Sequence, residues 1–128
     1  MCAGNIVRNV KGGGSIPTTT ACGIHAEADT AITGNVVENA KDIGISLGWG
    51  RYGRNLSATG NIIRNCGKGF TVSLHPETAP ALVANNIIAG STLAAIMGVD
   101  HDDPVTGDLG QPGAEIPARL TLSGNLVT

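Results

Sequence analysis

The sequence predicts an all-β fold, a right-handed, single-stranded parallel β-helix of about four to five coils, in one domain spanning 1–128. Three observations predict it: a short motif recurs along the chain, two strand-like segments accompany each copy, and the composition suits narrow cores and tight turns. Apolar residues make up 41%, enough for a continuous core despite 19 glycines. Because Gly, Asn, Thr and β-branched residues recur throughout, α-helix is disfavoured.

The recurring motif reads Gly-Asn, two β-branched residues, a charged residue and Asn. The three full copies are 4–9, 34–39 and 60–65; a fourth, 85–90, keeps only the first half, and the chain ends within a fifth, 124–128. Copies in the middle of the chain are about 25 residues apart, with longer intervals at both ends. This period fits one coil of a parallel β-helix and does not fit heptads or helical repeats.

Two further segments with strand character accompany each copy. Those that follow the motif are 23–26, 44–47, 69–72 and 94–97, of which the first three alternate apolar and polar residues. Those that precede the next motif are 56–59, 81–84 and 120–123. Three strands per coil are typical of the parallel β-helix, and the longer intervals indicate insertions near 10–22 and 100–119.

The asparagines of the motif predict side-chain ladders. Stacked coils place equivalent residues about 4.8 Å apart, and an Asn side chain both donates and accepts hydrogen bonds along such a stack. We expect one ladder of Asn5, Asn35, Asn61 and Asn86, and a second of Asn9, Asn39 and Asn65.

The chain opens and stops inside a coil, which leaves unpaired strand edges at both ends of the predicted solenoid. We therefore expect it to be the C-terminal piece of a longer repeat protein. On its own, such a piece is expected to self-associate through its open coil ends.

Several partners are disfavoured by composition. The net charge is -2 and the eight Lys and Arg residues are scattered, so nucleic acid is not an expected partner. No apolar run is long enough to span a membrane, and the chain starts without a signal segment. Cys2, Cys22 and Cys66 have neither zinc-site nor disulfide spacing, so neither a metal nor a cofactor is predicted.

Candidate catalytic residues follow the second strand of each coil. Alignment of these strands places Asp29, Gly50, His75 and Asp100 in one column, with His101 in the next. Neighbouring coils then bring His75 beside Asp100 or His101, so His75 is a candidate general acid or base that Asp100 orients. The alternative is that His75 belongs to a turn and that the acidic run opens a solvated loop.

Candidate substrate-binding residues lie in one short segment. Arg51 is suited to a uronate carboxylate, and Trp49 or Tyr52 to stacking on a sugar ring. The alternative is that Trp49 covers the edge of the core. The cluster from Asp100 to Asp103 carries enough potential metal ligands, but it does not predict a metal site, because adjacent residues of one loop rarely converge on an ion.

The Trp-Gly turn in 48–52 and the Thr-Gly-Asp-Leu loop in 106–109, with 59–64, 80–86 and 120–125, resemble the C-terminal end of a known family. That family is the twin-arginine-translocated uncharacterised repeat proteins of alphaproteobacteria, and the repeat is more broadly similar to the pectin-lyase-like superfamily. The resemblance implies export of the parent protein to the periplasm or beyond. It implies no activity, since the superfamily contains polysaccharide lyases, hydrolases and epimerases alongside members without catalysis.

Three functions stay open from the sequence. The first is an exported, carbohydrate-associated binding or scaffold module of unassigned activity. The second is a polysaccharide lyase, hydrolase or epimerase of the pectin-lyase type. The third is a purely structural spacer whose stacked coils are its whole role.

Overall fold

The computed structural model describes residues 1–12 and 20–128. Over these residues the chain is an all-β solenoid of about four turns, without an α-helix. The strands, in chain order, are β1 (Cys2–Ala3), β2 (Ile6–Arg8), β3 (Cys22–Ala26), β4 (Ala28–Thr33), β5 (Val36–Glu38), β6 (Ile43–Leu47), β7 (Arg54–Thr59), β8 (Ile62–Arg64), β9 (Lys68–Ser73), β10 (Ala81–Ala84), β11 (Ile87–Ala89), β12 (Ala94–Asp100), β13 (Asp103–Asp108), β14 (Leu120–Ser123) and β15 (Leu126–Val127). A short 3-10 helix, Gly50–Tyr52, lies between β6 and β7.

Each coil supplies one strand to each of three sheets. Sheet A has the order β1-β4-β7-β10-β14, sheet B the order β2-β5-β8-β11-β15, and sheet C the order β3-β6-β9-β12-β13. Neighbouring strands are parallel, except that β13 pairs with β12 antiparallel. The predicted fold class is thus confirmed as a solenoid of parallel stacked coils with three strands per coil.

The core is a stack of equivalent side chains from successive coils. In sheet C the register aligns Ile24 with Ile45, Phe70 and Ile96, and each of them is at most 9% exposed. Full burial of such a side chain stabilises a fold by roughly 1.5–3 kcal/mol relative to its exposure. Since the period of a strand is two, the residues that follow these four point out of the solenoid and form the outer face of sheet C.

A continuous ladder of asparagine side chains runs along the edge of the core between sheets A and B. It comprises Asn5, Asn35, Asn61, Asn86 and Asn125. At every step the side-chain oxygen of one Asn accepts the backbone N–H and the side-chain N–H of the Asn one coil earlier, at 2.9 to 3.1 Å. The three middle members are each only 1% exposed. The ladder therefore satisfies buried polar groups and fixes the register of the coils.

The second predicted ladder goes no further than its first step. Asn39 donates from Nδ2 to Oδ1 of Asn9 at 3.1 Å, but no side-chain hydrogen bond joins Asn65 to Asn39 in the described part of the chain. What the three residues share is a left-handed backbone, with φ of 59°, 57° and 55° for Asn9, Asn39 and Asn65. Asn tolerates this conformation better than most side chains. The repeat therefore conserves a backbone turn at this position rather than a ladder.

Glycine occupies the same early position of β3, β6 and β9, where there is no room for a side chain. A Cβ on Gly44 would lie 2.7 Å from the carbonyl oxygen of Gly69 in the next coil and 2.7 Å from Cγ2 of Ile63. Gly23 and Gly69 are equally confined, with contacts of 2.5 Å to core side chains. The close approach of main chain between coils explains why this glycine repeats.

The alignment of the fourth coil in the sequence analysis was wrong by one residue. It matched Ala94 to these glycines, whereas in the structure Ala94 pairs with Lys68 and Ala95 takes the glycine position. The interval between the two coils holds one more residue than the repeat suggested. Extension of the true register places His101, not Asp100, in the column of His75.

The insertion at 100–119 covers one end of sheet C, whereas β14 and β15 are the last strands of sheets A and B at that end. Its strand β13 covers the edge of β12, and Leu109 then enters the core, where it is 6% exposed. The backbone N–H of Leu109 donates to the carbonyl of Ile96 at 2.7 Å. The other predicted insertion, near 10–22, lies largely at 13–19, outside the described residues.

Candidate functional site

The turn between β12 and β13 packs against the 3-10 helix of the second coil. The ring of His101 meets the ring of Trp49 edge to face, with centroids 5.1 Å apart and an interplanar angle of 89°. It also lies over Gly50, where a Cβ would be 2.5 Å from Nε2 of the histidine. Asp100 holds the imidazole from the other side, with Oδ1 2.9 Å from Nδ1. The structure therefore brings together three predicted site residues: Trp49, Asp100 and His101.

A pocket of about 290 Å³ opens next to this contact, on the outer face of sheet C. Its lining consists of side chains from β3, from β6 and the segment after it, and from the β12–β13 turn: Thr20, Cys22, His25, Ile43, Ser46, Trp49 and Asp102. The strands supply most of the lining, whereas Asp102 reaches the pocket from the fourth coil. The pocket thus exists because the β12–β13 turn bends back over earlier coils.

Two polar side chains of this pocket, His25 and Ser46, are joined by a hydrogen bond. They occupy paired positions of β3 and β6, and Nδ1 of the histidine is 3.1 Å from Oγ of the serine. Nε2 of His25 is 3.9 Å from Oε1 of Glu27. The sequence analysis missed this pair, although the alternation in 23–26 and 44–47 puts both residues at the outward position of aligned strands.

Cys22 lies in the same pocket as a neutral thiol. Burial raises the pKa of the thiol, and hydrogen bonds with the backbone of Ser46 and Ile24 lower it by less, so the pKa is about 11. A thiol with so high a pKa carries almost no thiolate at neutral pH, and the thiolate is the reactive form of cysteine. Together with Ile43, the Cys22 side chain provides the less polar part of the lining.

His75, Arg51 and Tyr52 form a different cluster around Glu77. Nε of Arg51 is 3.6 Å from a carboxylate oxygen of Glu77, and its guanidinium carbon is 5.8 Å from the centre of the Tyr52 ring. Nδ1 of His75 accepts the backbone N–H of Glu77 at 3.1 Å, and the His75 carbonyl accepts a hydrogen bond from Arg119. The sequence analysis expected Asp100 to orient His75. Asp100 instead bonds to its own neighbour His101, and the ring of His101 packs against Trp49 rather than His75.

The predicted polar column also loses Asp29, which belongs to sheet A. It accepts hydrogen bonds from Asn55 at 2.8 Å and from Arg54 at 2.7 Å, and these bonds lower the pKa of its carboxyl group. The register pairs the strand of Asp29 with that of Arg54, so its side chain does not lie beside Gly50 or His75. The sequence alignment failed here because the chain turns directly from β3 into β4.

Within residues 1–12 and 20–128, no group of three or more His, Cys, Asp or Glu side chains is arranged to hold a metal ion. The three cysteines form no disulfide. Among the same residues, no helix has the length and apolar character needed to cross a membrane.

Comparison of the chain with protein-family models, with curated proteins and with solved structures finds no match.

Proposed function

We propose that the chain is a carbohydrate-associated β-solenoid module of an exported bacterial protein, and that it binds a glycan in the pocket beside Trp49. The observation that supports this proposal is the composition of the pocket. One exposed aromatic face, one carboxylate and a histidine–serine pair surround about 290 Å³ on an otherwise regular sheet surface. Aromatic stacking with a few convergent polar groups is the usual chemistry of small-ligand sites.

Charge indicates which sugars the pocket suits. Asp102 contributes a carboxylate, which accepts hydrogen bonds from sugar hydroxyls but repels the carboxylate of a uronate. Arg51, the residue expected to bind a uronate, does not line the pocket and is paired with Glu77. Neutral, hydroxyl-rich glycans are therefore better ligands for this pocket than anionic ones.

Export and family stay proposals that depend on the resemblance of the sequence. The twin-arginine-translocated repeat proteins and the pectin-lyase-like superfamily both fit a solenoid of parallel coils. The export of the twin-arginine-translocated family gives the expectation of a periplasmic or secreted parent protein. Within the described residues β1, β2 and β3 are the outermost strands of their sheets, and the proposed self-association of the isolated chain would use such edges.

An enzymatic alternative, a polysaccharide lyase, hydrolase or epimerase, is supported by one contact. Asp100 and His101 form a carboxylate–imidazole pair at 2.9 Å next to an aromatic side chain, which suits general acid or base work. His75 does not join that pair. Hydrolysis through two facing carboxylates is not supported, because Asp102 is the one carboxylate among the described residues that line the pocket.

The test is a glycan-binding panel of neutral and anionic polysaccharides, read by affinity and by release of oligosaccharides. Trp49→Ala should lower affinity about 5-fold or more, since a stacked aromatic side chain is worth about 1 kcal/mol or more at a binding site. Tyr52→Ala is the matched control, because Tyr52 is an exposed aromatic three residues away that does not line the pocket.

Three other outcomes count against the proposal. If binding is lost in Tyr52→Ala and retained in Trp49→Ala, the ligand lies at the Glu77 cluster. If oligosaccharides are released by the wild type and not by His101→Ala, the enzymatic alternative is correct. If no glycan binds the folded wild type, the chain is a structural spacer, the third function open from the sequence.

A further inference from the structure

The outer face of sheet C carries one column of side chains that differ from coil to coil. The register aligns His25 with Ser46, Thr71 and Met97. The first two of these side chains are joined by a hydrogen bond inside the pocket, whereas Thr71 and Met97 do not line it. A histidine and a hydroxyl on adjacent parallel strands are held at the strand spacing by the sheet itself, without support from loops.

We propose that Ser46 is a nucleophile activated by His25, and that this pair hydrolyses small acyl esters carried by the glycan that the pocket binds. The inference deepens the proposed function, and its substrate class depends on that function. A serine hydroxyl within hydrogen-bond reach of an imidazole that a third group orients is the recurring arrangement of serine acyl transfer. Here Glu27 lies 3.9 Å from the far ring nitrogen, too far for a hydrogen bond, so the paired strands rather than a third side chain hold the histidine beside the serine.

The proposed chemistry needs one of the two tautomers that the 3.1 Å contact between His25 and Ser46 allows. In that tautomer the neutral ring carries its proton on Nε2, the nitrogen 3.9 Å from Glu27, and Nδ1 accepts the hydroxyl proton of Ser46. The Glu27 side chain is 57% exposed, so the proposal does not depend on its charge.

The reaction balances without a further reactant other than water. Oγ of Ser46 attacks the ester carbonyl carbon while Nδ1 of His25 takes the hydroxyl proton. Collapse of the tetrahedral intermediate breaks the bond to the sugar oxygen, which leaves with the proton from His25, and an acyl-serine remains. Water then attacks the acyl-serine, His25 again accepts and returns the proton, and the carboxylic acid departs.

Two features of the pocket decide which groups enter. Its volume of about 290 Å³ is at the lower limit of ligand pockets, so it fits a short acyl group such as acetyl with one sugar unit. Thr20 and Trp49 bring a hydroxyl and an indole N–H to the lining, donor types that stabilise a developing oxyanion. Cys22 does not compete as the nucleophile, because burial keeps its thiol protonated.

The experiment uses the whole chain and a probe without a sugar, a small alkyl fluorophosphonate, followed by peptide mass spectrometry. We expect a phosphonyl adduct on Ser46 in the wild type, no adduct there in Ser46→Ala, and labelling about 100-fold slower in His25→Ala, the size of a general-base contribution. Thr71→Ala is the matched control, since Thr71 is the buried hydroxyl at the same register position one coil later. It should label as the wild type does, and circular dichroism should confirm that all four proteins are folded.

The inference is overturned if the folded wild type gives no adduct on Ser46, if the adduct maps to Cys22, or if His25→Ala labels at the wild-type rate. Because the probe carries no sugar, its outcome is separate from glycan binding. Loss of glycan binding with intact Ser46 labelling refutes the proposed function alone. Acetate release from an acetylated neutral polysaccharide by the wild type and not by Ser46→Ala then supports the substrate class, and equal release by both contradicts it.

Discussion

Removal of a single middle step from the asparagine ladder should destabilise the protein more than any exposed substitution. Asn61 is 1% exposed, and its side chain makes four hydrogen bonds. Its oxygen accepts the backbone and side-chain N–H groups of Asn35, both at 3.0 Å. Its nitrogen donates to the carbonyl of Ile32 at 3.1 Å and to Oδ1 of Asn86 at 2.9 Å. Asn61→Ala breaks all four and leaves the buried N–H of Asn35 without a partner.

The cost follows from these contacts. Each hydrogen bond contributes about 1 kcal/mol net, so the loss of all four lowers the free energy of unfolding by about 4 kcal/mol. That is about a thousandfold in the folding equilibrium and roughly 15 °C in the midpoint of thermal unfolding. The buried N–H of Asn35 carries a desolvation penalty that makes this value a lower bound unless water enters the space.

The assay is equilibrium unfolding in urea, followed by far-ultraviolet circular dichroism and by the fluorescence of Trp49. The matched control is Asn5→Ala at the exposed end of the same ladder. Asn5 donates to Oδ1 of Asn35, but its backbone N–H keeps a bond to that oxygen after the substitution. Its loss should be below about 1 kcal/mol. Equal losses in the two variants, or a loss below 1 kcal/mol for Asn61→Ala, would refute the reasoning.

Three further predictions concern positions outside the ladder. Gly44→Ala should lower the free energy of unfolding in urea by about 3 kcal/mol, because the added Cβ would lie 2.7 Å from the main chain of the next coil. Gly107→Ala is the control: a Cβ there meets nothing within 4 Å, so the loss should be less than about 0.5 kcal/mol. Cys22 in the folded chain should react with iodoacetamide at pH 8 about 100-fold more slowly than in the urea-unfolded chain, because its pKa of about 11 is two units above the ordinary value. Equal rates in the two states would show that the thiol is not buried. Partial burial raises the pKa of the Asp108 carboxyl, but hydrogen bonds from Ala95, Gly110 and Gln111 outweigh it and hold that pKa below 3.8. Asp108→Asn should therefore destabilise the protein at pH 7, and the difference from the wild type should disappear as the pH falls below about 3.8. A difference in stability that persists at pH 2 would contradict this origin.

The sequence was sufficient for the solenoid because each coil repeats the same local requirements. The Asn that precedes each strand of sheet B recurs because its two kinds of hydrogen-bonding atom connect neighbouring coils, so the motif reports long-range contacts in a local pattern. Strand β13 could not be found in this way, since it occurs once and its residues 103–108 have the composition of a polar loop. The strand β4, Ala28–Thr33, was hidden because it follows β3 after a single residue.

The site was harder to predict because it depends on register and not on composition. A one-residue error at Ala94 shifted the alignment of β12 with β9, since repeated alanines give no signal that distinguishes the two alignments. The contact of His101 with Trp49 requires the β12–β13 turn to bend back across the sheet, which no repeat encodes. In contrast, the alignment of His25 with Ser46 was accessible, because those two coils share an uninterrupted glycine-led strand.

In a solenoid of this kind, the positions that repeat and the positions that differ have separate roles. A residue that recurs from coil to coil, as Asn61 does in every coil and Gly44 in the first three, is required by stacking, and its substitution alters stability. A residue on the outer face is not held by stacking, so His25, Ser46 and Thr71 can differ from coil to coil without loss of the fold. The candidate chemistry lies where such a difference is covered by the β12–β13 turn, which excludes part of the solvent and brings Asp102 to the pocket. We therefore expect function in this chain at the positions that differ between coils, and measurements on Trp49, His25 and Ser46 test that expectation directly.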